Sequence, residues 1–250
     1  NYQFISIFIG KLLLYDNRNM EEIRMKKEIK LKFDAIRPFG PTVVKGKVPN
    51  FILDTVNKKC NEILGDPKLA KQWDWSPNLA GNVKQEVRMP PEWIDKEGQQ
   101  LVFLIGEMVK QYLSIPPANE TLAPEKIDKM VIESMWAVSQ WAGDFNPAHM
   151  HDGDLSGVFY TKMPKSIDKE RKAEDHYPSV GDILFMCGDP KTFSGHKLQH
   201  PPEVGDIFMF PSWLTHMVYP FRTPDEERRS VSFNLRLVPK GATLTTDENK

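Results

Sequence analysis

The chain has 250 residues, of which 40% are hydrophobic. That is enough for one large domain with a sizeable core, so disorder is not the default expectation. With 33 basic against 34 acidic residues the net charge is -1, which leaves no long-range field to hold a phosphate backbone, so no nucleic-acid partner is expected.

Two cysteines, Cys60 and Cys187, are too few for a disulfide framework or a structural zinc cage, and they point to a reducing, cytoplasmic compartment. The apolar run over residues 4–14 is broken by Gly10 and Lys11 and is too short to span a bilayer. It also lacks the basic stretch and small-residue cleavage site of a secretory signal, so no membrane association is expected. Alternation of Ile29, Leu31 and Phe33 with Lys30, Lys32 and Asp34 predicts a strand, with residues 1–24 as an extension ahead of a single domain over 25–250. Pro49-Asn50 followed by Phe51, Ile52, Val56, Cys60, Ile63 and Leu64 predicts a capped amphipathic helix closed by Gly65. Leu101, Leu104, Ile105, Met108, Val109, Tyr112 and Leu113 predict a second helix, stopped by Pro116-Pro117. Residues 66–97 between them read as irregular.

After about residue 127 the period changes. Short β-like runs cover 130–141, 155–163, 183–186, 207–210, 216–220 and 230–238, separated by Gly, Pro and Asp turns. The highly charged stretch 165–178 reads as a mobile surface loop. Helical support over about 48–117 and a β core over about 127–238 predict an α+β protein whose helices cover one face of a sheet sandwich or barrel.

Three elements carry chemistry. His149 and His151 precede the run at 155, and in an extended segment residues two apart project from one face, so two imidazoles can grip one cation, with Asp152 and Asp154 close behind. Sixty-five residues after His151, an apolar strand and the turn Pro211-Ser212 deliver His216 among Trp213, Leu214, Met217 and Val218. A histidine so placed needs either a backbone hydrogen bond or a metal. Arg228 and Ser230 then share a face of a strand, where guanidinium and hydroxyl can hold one carboxylate together. Trp136, Trp141, Phe145, Phe159, Phe208, Phe210 and Trp213 are candidates to line the barrel.

The phrases His149-x-His151, Leu155-Ser-Gly-Val-Phe-Tyr160, Gly205-Asp-Ile-Phe-Met-Phe-Pro-Ser-Trp-Leu-Thr-His216 and Arg228-x-Ser-Val-Ser-Phe-Asn234 resemble the 2-oxoglutarate- and iron(II)-dependent dioxygenases. They are most similar to a branch of that family found in marine bacteria and their phages and related to prolyl hydroxylases. The resemblance covers residues 130–238 and implies a double-stranded β-helix (jelly-roll, cupin-like barrel) with supporting N-terminal helices. It implies Fe(II) and 2-oxoglutarate as cofactors and O2 as co-substrate, with release of succinate and CO2. By the same resemblance His149 or His151 is the first iron ligand, His216 the distal one, and Arg228 the partner of the far carboxylate of 2-oxoglutarate, with Ser230 and Tyr160 as donors to it. The sequence departs from the family's His-x-Asp or His-x-Glu at His151. Either three histidines bind, or a histidine pairs with Asp154 around a Gly153 turn; the first is favoured. The implied substrate is a small molecule or peptide, with peptidyl proline or an amino-acid-like compound the best analogue. The competing readings are a cupin-like three-histidine metalloenzyme, which has no need of Arg228 and Ser230, and a degenerate barrel that only binds a ligand or partner. Neither substrate identity nor oligomeric state is written in the sequence.

Overall fold

The computed structural model describes residues 40–173 and 179–242. The expected extension over 1–24 and the strand near 29–34 lie outside the described residues. In chain order the elements are β1 (Val44–Lys47), α1 (Asn50–Gly65), α2 (Pro67–Gln72), β2 (Gln85–Arg88), α3 (Pro91–Ile94), α4 (Gln99–Leu113), α5 (Ala118–Thr121), β3 (Ile127–Gln140), β4 (Asn146–His149) and β5 (Leu155–Lys162). They continue with α6 (Ile167–Arg171), β6 (Ile183–Met186), β7 (Lys197–His200), β8 (Asp206–Pro211), β9 (Thr215–Val218) and β10 (Arg228–Pro239). The strands pair antiparallel in two sheets, one in the order β1-β8-β5-β10-β3-β2 and the other in the order β4-β9-β6-β7. This is the double-stranded β-helix expected from the sequence.

Period-two alternation decides which side of the large sheet does what. On β10, Val231, Phe233 and Leu235 face outward, joined by Met135 and Ala137 of β3, Phe159 of β5, and Ile207 and Met209 of β8. That face is covered by Ile52, Val56, Cys60 and Ile63 of α1 and by Leu101, Ile105, Met108 and Val109 of α4. Each fully buried aliphatic side chain of this layer contributes roughly 1.5–3 kcal/mol. Alternate residues Arg228, Ser230 and Ser232 therefore turn inward, toward a second apolar cluster of Val158, Tyr160, Ile183, Phe185, Phe208, Phe210 and Leu214 between the sheets. Helices thus brace one face, and the chemistry is confined to the other.

Gly157 makes this packing possible. A Cβ there would lie 2.2 Å from Phe233 Cζ and 2.9 Å from Phe208 O, so only glycine lets β5 pass under the Phe233 ring.

Several expectations need correction. Asn50 opens α1 but does not cap it: Pro49 holds the cap position without a side-chain hydrogen bond, and Asp66 rather than Gly65 follows the last turn. Asp66 instead caps α2, accepting from Lys68 N and Leu69 N. Residues 66–97 are not irregular, since they hold α2, β2 and α3. Within 165–178, α6 is ordered and Glu170 accepts hydrogen bonds from the backbone N–H groups of Arg222 and Thr223; residues 174–178 lie outside the described residues.

Candidate metal centre and anion pocket

β4 and β9 pair so that His149 stands directly opposite His216. The chain leaves β4 at His149, and the His151 N–H donates to Ser212 O at 2.9 Å, tying the loop to the end of β8. Gly153 completes the turn at φ +95°, where a Cβ would lie 2.9 Å from Leu235 O. The result is three imidazoles in one cluster. Ring centroids are 4.3 Å apart for His149 and His216, 4.9 Å for His149 and His151, and 5.0 Å for His151 and His216, and one nitrogen of each lies within 4.8 Å of the others.

Two of the rings have a fixed tautomer. His149 Nδ1 is 2.7 Å from Pro147 O and His216 Nδ1 is 2.9 Å from Leu214 O. A carbonyl only accepts, so both Nδ1 atoms carry the proton and both Nε2 atoms keep a lone pair. Burial lowers the pKa of all three rings, to about 3 for His151 and about 4 for His216, with the neighbouring imidazoles adding to the fall for these two. They are therefore neutral at physiological pH, the form that ligates a divalent cation. Asp154 is not brought to this cluster. It is exposed, and its Oδ2 accepts from Leu237 N at 2.7 Å.

Across the cavity Arg228 is only 1% exposed. Its Cζ sits 4.8 Å from the centre of the Tyr160 ring, and Nη1 donates to Gln140 Oε1. Arg228 Nε and Nη2 and the Tyr160 hydroxyl are buried without a hydrogen-bond partner among the described residues. Desolvation lowers the Arg228 pKa and pushes the Tyr160 hydroxyl up to about 12, so Tyr160 stays a donor. Orphaned donors of this kind are costly unless an acceptor arrives, and a carboxylate supplies it in the fork geometry of a guanidinium. Ser230, directly opposite Tyr160 on β10, lines the same space.

The cavity is open to solvent and is walled by the three histidines, Arg228, Tyr160, Ser230 and the apolar Trp136, Val158, Ile183 and Phe210. Of the other aromatic candidates, Phe159 packs on the helix side, and Trp213 is 57% exposed. Sequence reasoning missed Glu86, Gln140 and Asn146. Glu86 and Asn146 line the cavity, and Gln140 supports Arg228. Only the Gln85-Glu-Val-Arg88 alternation hinted at Glu86, and it is too short to stand out.

A double-stranded β-helix thus sets a three-imidazole cluster that could hold a metal ion across a cavity from a buried, half-paired guanidinium. Residues 134–234 match the family model described as "Putative 2OG-Fe(II) oxygenase", a span that contains His149, His151, Tyr160, His216, Arg228 and Ser230. Over that span the chain is similar to the 2-oxoglutarate- and Fe(II)-dependent oxygenases.

Among solved structures, the chain is similar to a prolyl hydroxylase from Trichoplax adhaerens in complex with a hypoxia inducible factor peptide fragment, at 11% identity and a TM-score of 0.50, covering 80% of this chain and 84% of that one. It is also similar to a Pseudomonas putida prolyl-4-hydroxylase, at 15% identity and a TM-score of 0.48, covering 78% of this chain and 91% of that one. At 11% identity the likeness to the Trichoplax adhaerens structure is one of fold alone. No curated protein matches. Among the described residues no helix is long and apolar enough to cross a membrane.

Proposed function

We propose that the enzyme hydroxylates an amino-acid-like substrate, free or peptidyl, at a metal held by His149, His151 and His216, with Arg228, Ser230 and Tyr160 binding the far carboxylate of 2-oxoglutarate. The observation that carries this reading is the pairing of three neutral, convergent imidazoles with a buried guanidinium whose Nε and Nη2 lack an acceptor among the described residues. Bound Fe(II) supplies the redox chemistry, coupling decarboxylation of 2-oxoglutarate to succinate and CO2 with oxidation of a substrate C–H bond. The carbonyls of Pro147 and Leu214 aim two Nε2 lone pairs. Three neutral imidazoles leave the full double charge on the cation, where a carboxylate ligand would have halved it.

Arg228 then fixes the cosubstrate's length axis, because its fork accepts a carboxylate in only a few orientations. Tyr160 and Ser230 add donors from the neighbouring strand. Trp136, Val158, Ile183 and Phe210 exclude water, which strengthens each of these charged contacts. The Trichoplax adhaerens neighbour, itself in complex with a peptide fragment, makes peptides the natural first panel beside free amino acids.

Succinate release is the test. Purified protein with Fe(II), O2 and 2-oxoglutarate should form succinate, faster with a productive substrate, and His216→Ala should abolish it. Succinate formation without added 2-oxoglutarate, or undiminished in His216→Ala, would overturn the assignment.

A further inference from the structure

The cavity holds one more buried polar group that cosubstrate binding leaves unused. Glu86 on β2 faces Val138 on β3, in a cross-sheet row that continues through Ser230 on β10 to Tyr160 on β5. Directly opposed residues share a face, and all four line the cavity. At ~4.8 Å between strands, Glu86 stands about 10 Å from Ser230 and about 14 Å from Tyr160 along the sheet. The five carbons of 2-oxoglutarate span only about 5–6 Å at ~1.5 Å per bond. A cosubstrate anchored at Arg228 therefore leaves Glu86 to whatever else enters.

Glu86 is 3% exposed, and its Oε1 has no hydrogen-bond partner among the described residues. Its polarity is set from a distance. Arg228 has only donors, so Gln140 must turn Oε1 to it, and Gln140 Nε2 then donates to Asn146 Oδ1 at 2.9 Å. That orientation sends the Asn146 amide N–H groups the other way, to Ala80 O at 3.4 Å and to Glu86. The chain of donors ends on Glu86 as an acceptor. Burial pushes its carboxyl up to about 7, opposed by the Asn146 hydrogen bond and reinforced by Asp74 and Asp144. A carboxylate in such a position is stabilised by a cation that brings its own N–H. Peptidyl proline brings neither charge nor N–H, whereas a free amino acid or amine carries an ammonium.

We propose that the substrate is a small amine-bearing molecule of the amino-acid class, held by a charge-assisted hydrogen bond from its ammonium to Glu86 Oε1. This rests on the oxygenase reading of the cavity and narrows its substrate.

The test uses two ring molecules of the same shape, pyrrolidine, which is protonated at neutral pH, and tetrahydrofuran, which is neutral. Each is titrated into the whole protein, once loaded with Fe(II) and 2-oxoglutarate under anaerobic conditions and once without them. Pyrrolidine should bind at least tenfold tighter than tetrahydrofuran, and Glu86→Gln, a near-isosteric change that removes the charge and exchanges one acceptor oxygen for an NH2 donor, should weaken it roughly ten- to hundredfold. Equal binding of the two rings, or a Glu86→Gln variant that binds pyrrolidine within twofold of the parent, would overturn the inference. A blocked lysyl peptide is the second probe: binding of pyrrolidine alone assigns the ammonium to a free molecule, and binding of both extends the same ion pair to a side chain. The iron- and cosubstrate-free titration keeps the two readings separable. Failure of 2-oxoglutarate to bind the wild-type iron protein would refute the oxygenase reading, while the Glu86 pairing would be judged on the metal-free titration alone.

Discussion

Replacing Arg228 by Met separates a ligand anchor from a structural arginine, because the first role puts the loss in cosubstrate affinity and the second puts it in stability. Without a cosubstrate the buried guanidinium has one hydrogen bond, to Gln140, one aromatic face, Tyr160, and two idle nitrogens. Methionine fills the stem's volume without the charge. Replacing an under-compensated buried charge by an apolar residue is worth about 1–4 kcal/mol, whereas stranding Gln140 Oε1 costs about 1–3 kcal/mol. The net effect on the cosubstrate-free protein should thus lie between about 2 kcal/mol destabilising and about 3 kcal/mol stabilising, read by urea denaturation. Binding of 2-oxoglutarate should collapse. Breaking a buried charge pair costs about 3–5 kcal/mol, which at ~1.4 kcal/mol per tenfold is a hundred- to several-thousand-fold rise in Kd, measured by anaerobic titration of the iron-loaded variant. Arg228→Lys should recover only part of this, since a point charge cannot reproduce the fork. Destabilisation beyond about 2 kcal/mol, with 2-oxoglutarate affinity retained within threefold, would refute the reasoning.

The remaining predictions concern ligands, pH and packing. His151→Ala should abolish iron binding in an anaerobic metal titration, whereas Asp154→Ala should leave it intact and cost about 1 kcal/mol of stability for the lost hydrogen bond to Leu237 N. The metal-free protein should lose stability as pH falls from about 6.5 toward 4, because the unfolded chain protonates histidines that His151 and His216, at about 3 and 4, refuse in the fold; denaturation midpoints across that range check the sign. Gly157→Ala should destabilise by about 3 kcal/mol or more, since its Cβ would meet Phe233 and the Phe208 backbone, and a melting curve within 2 °C of the parent would contradict this.

What the sequence disclosed follows from how each element is stabilised. The strands β3, β5, β6, β8, β9 and β10 bury one or both faces, and so they write an apolar pattern; α1 and α4 write theirs at helical spacing. Strands β1, β2, β4 and β7 are four residues each, partly or wholly exposed, and exist because a neighbouring strand offers them an edge. Local pattern cannot show that. The same divide runs through the site. His149, His151 and His216 stood out because chemistry needs rare residue types at a set spacing, and Arg228 with Ser230 because residues two apart on a strand share a face. Gln140, Asn146 and Glu86 are common residues given meaning only by the register that sets Gln140 opposite Arg228 and Glu86 in a row with Ser230.

The central claim is that one site binds Fe(II) through three histidines and 2-oxoglutarate through Arg228. Its most direct measurement is the visible spectrum of the anaerobic protein as Fe(II) and then 2-oxoglutarate are added. The account predicts a weak metal-to-ligand charge-transfer band that requires both additions and is lost in His149→Ala, His151→Ala and His216→Ala but kept in Asp154→Ala. Bound iron without the band would favour a cupin-like metalloenzyme, and neither iron nor cosubstrate binding would mean a barrel that has lost its chemistry; either result would contradict the account.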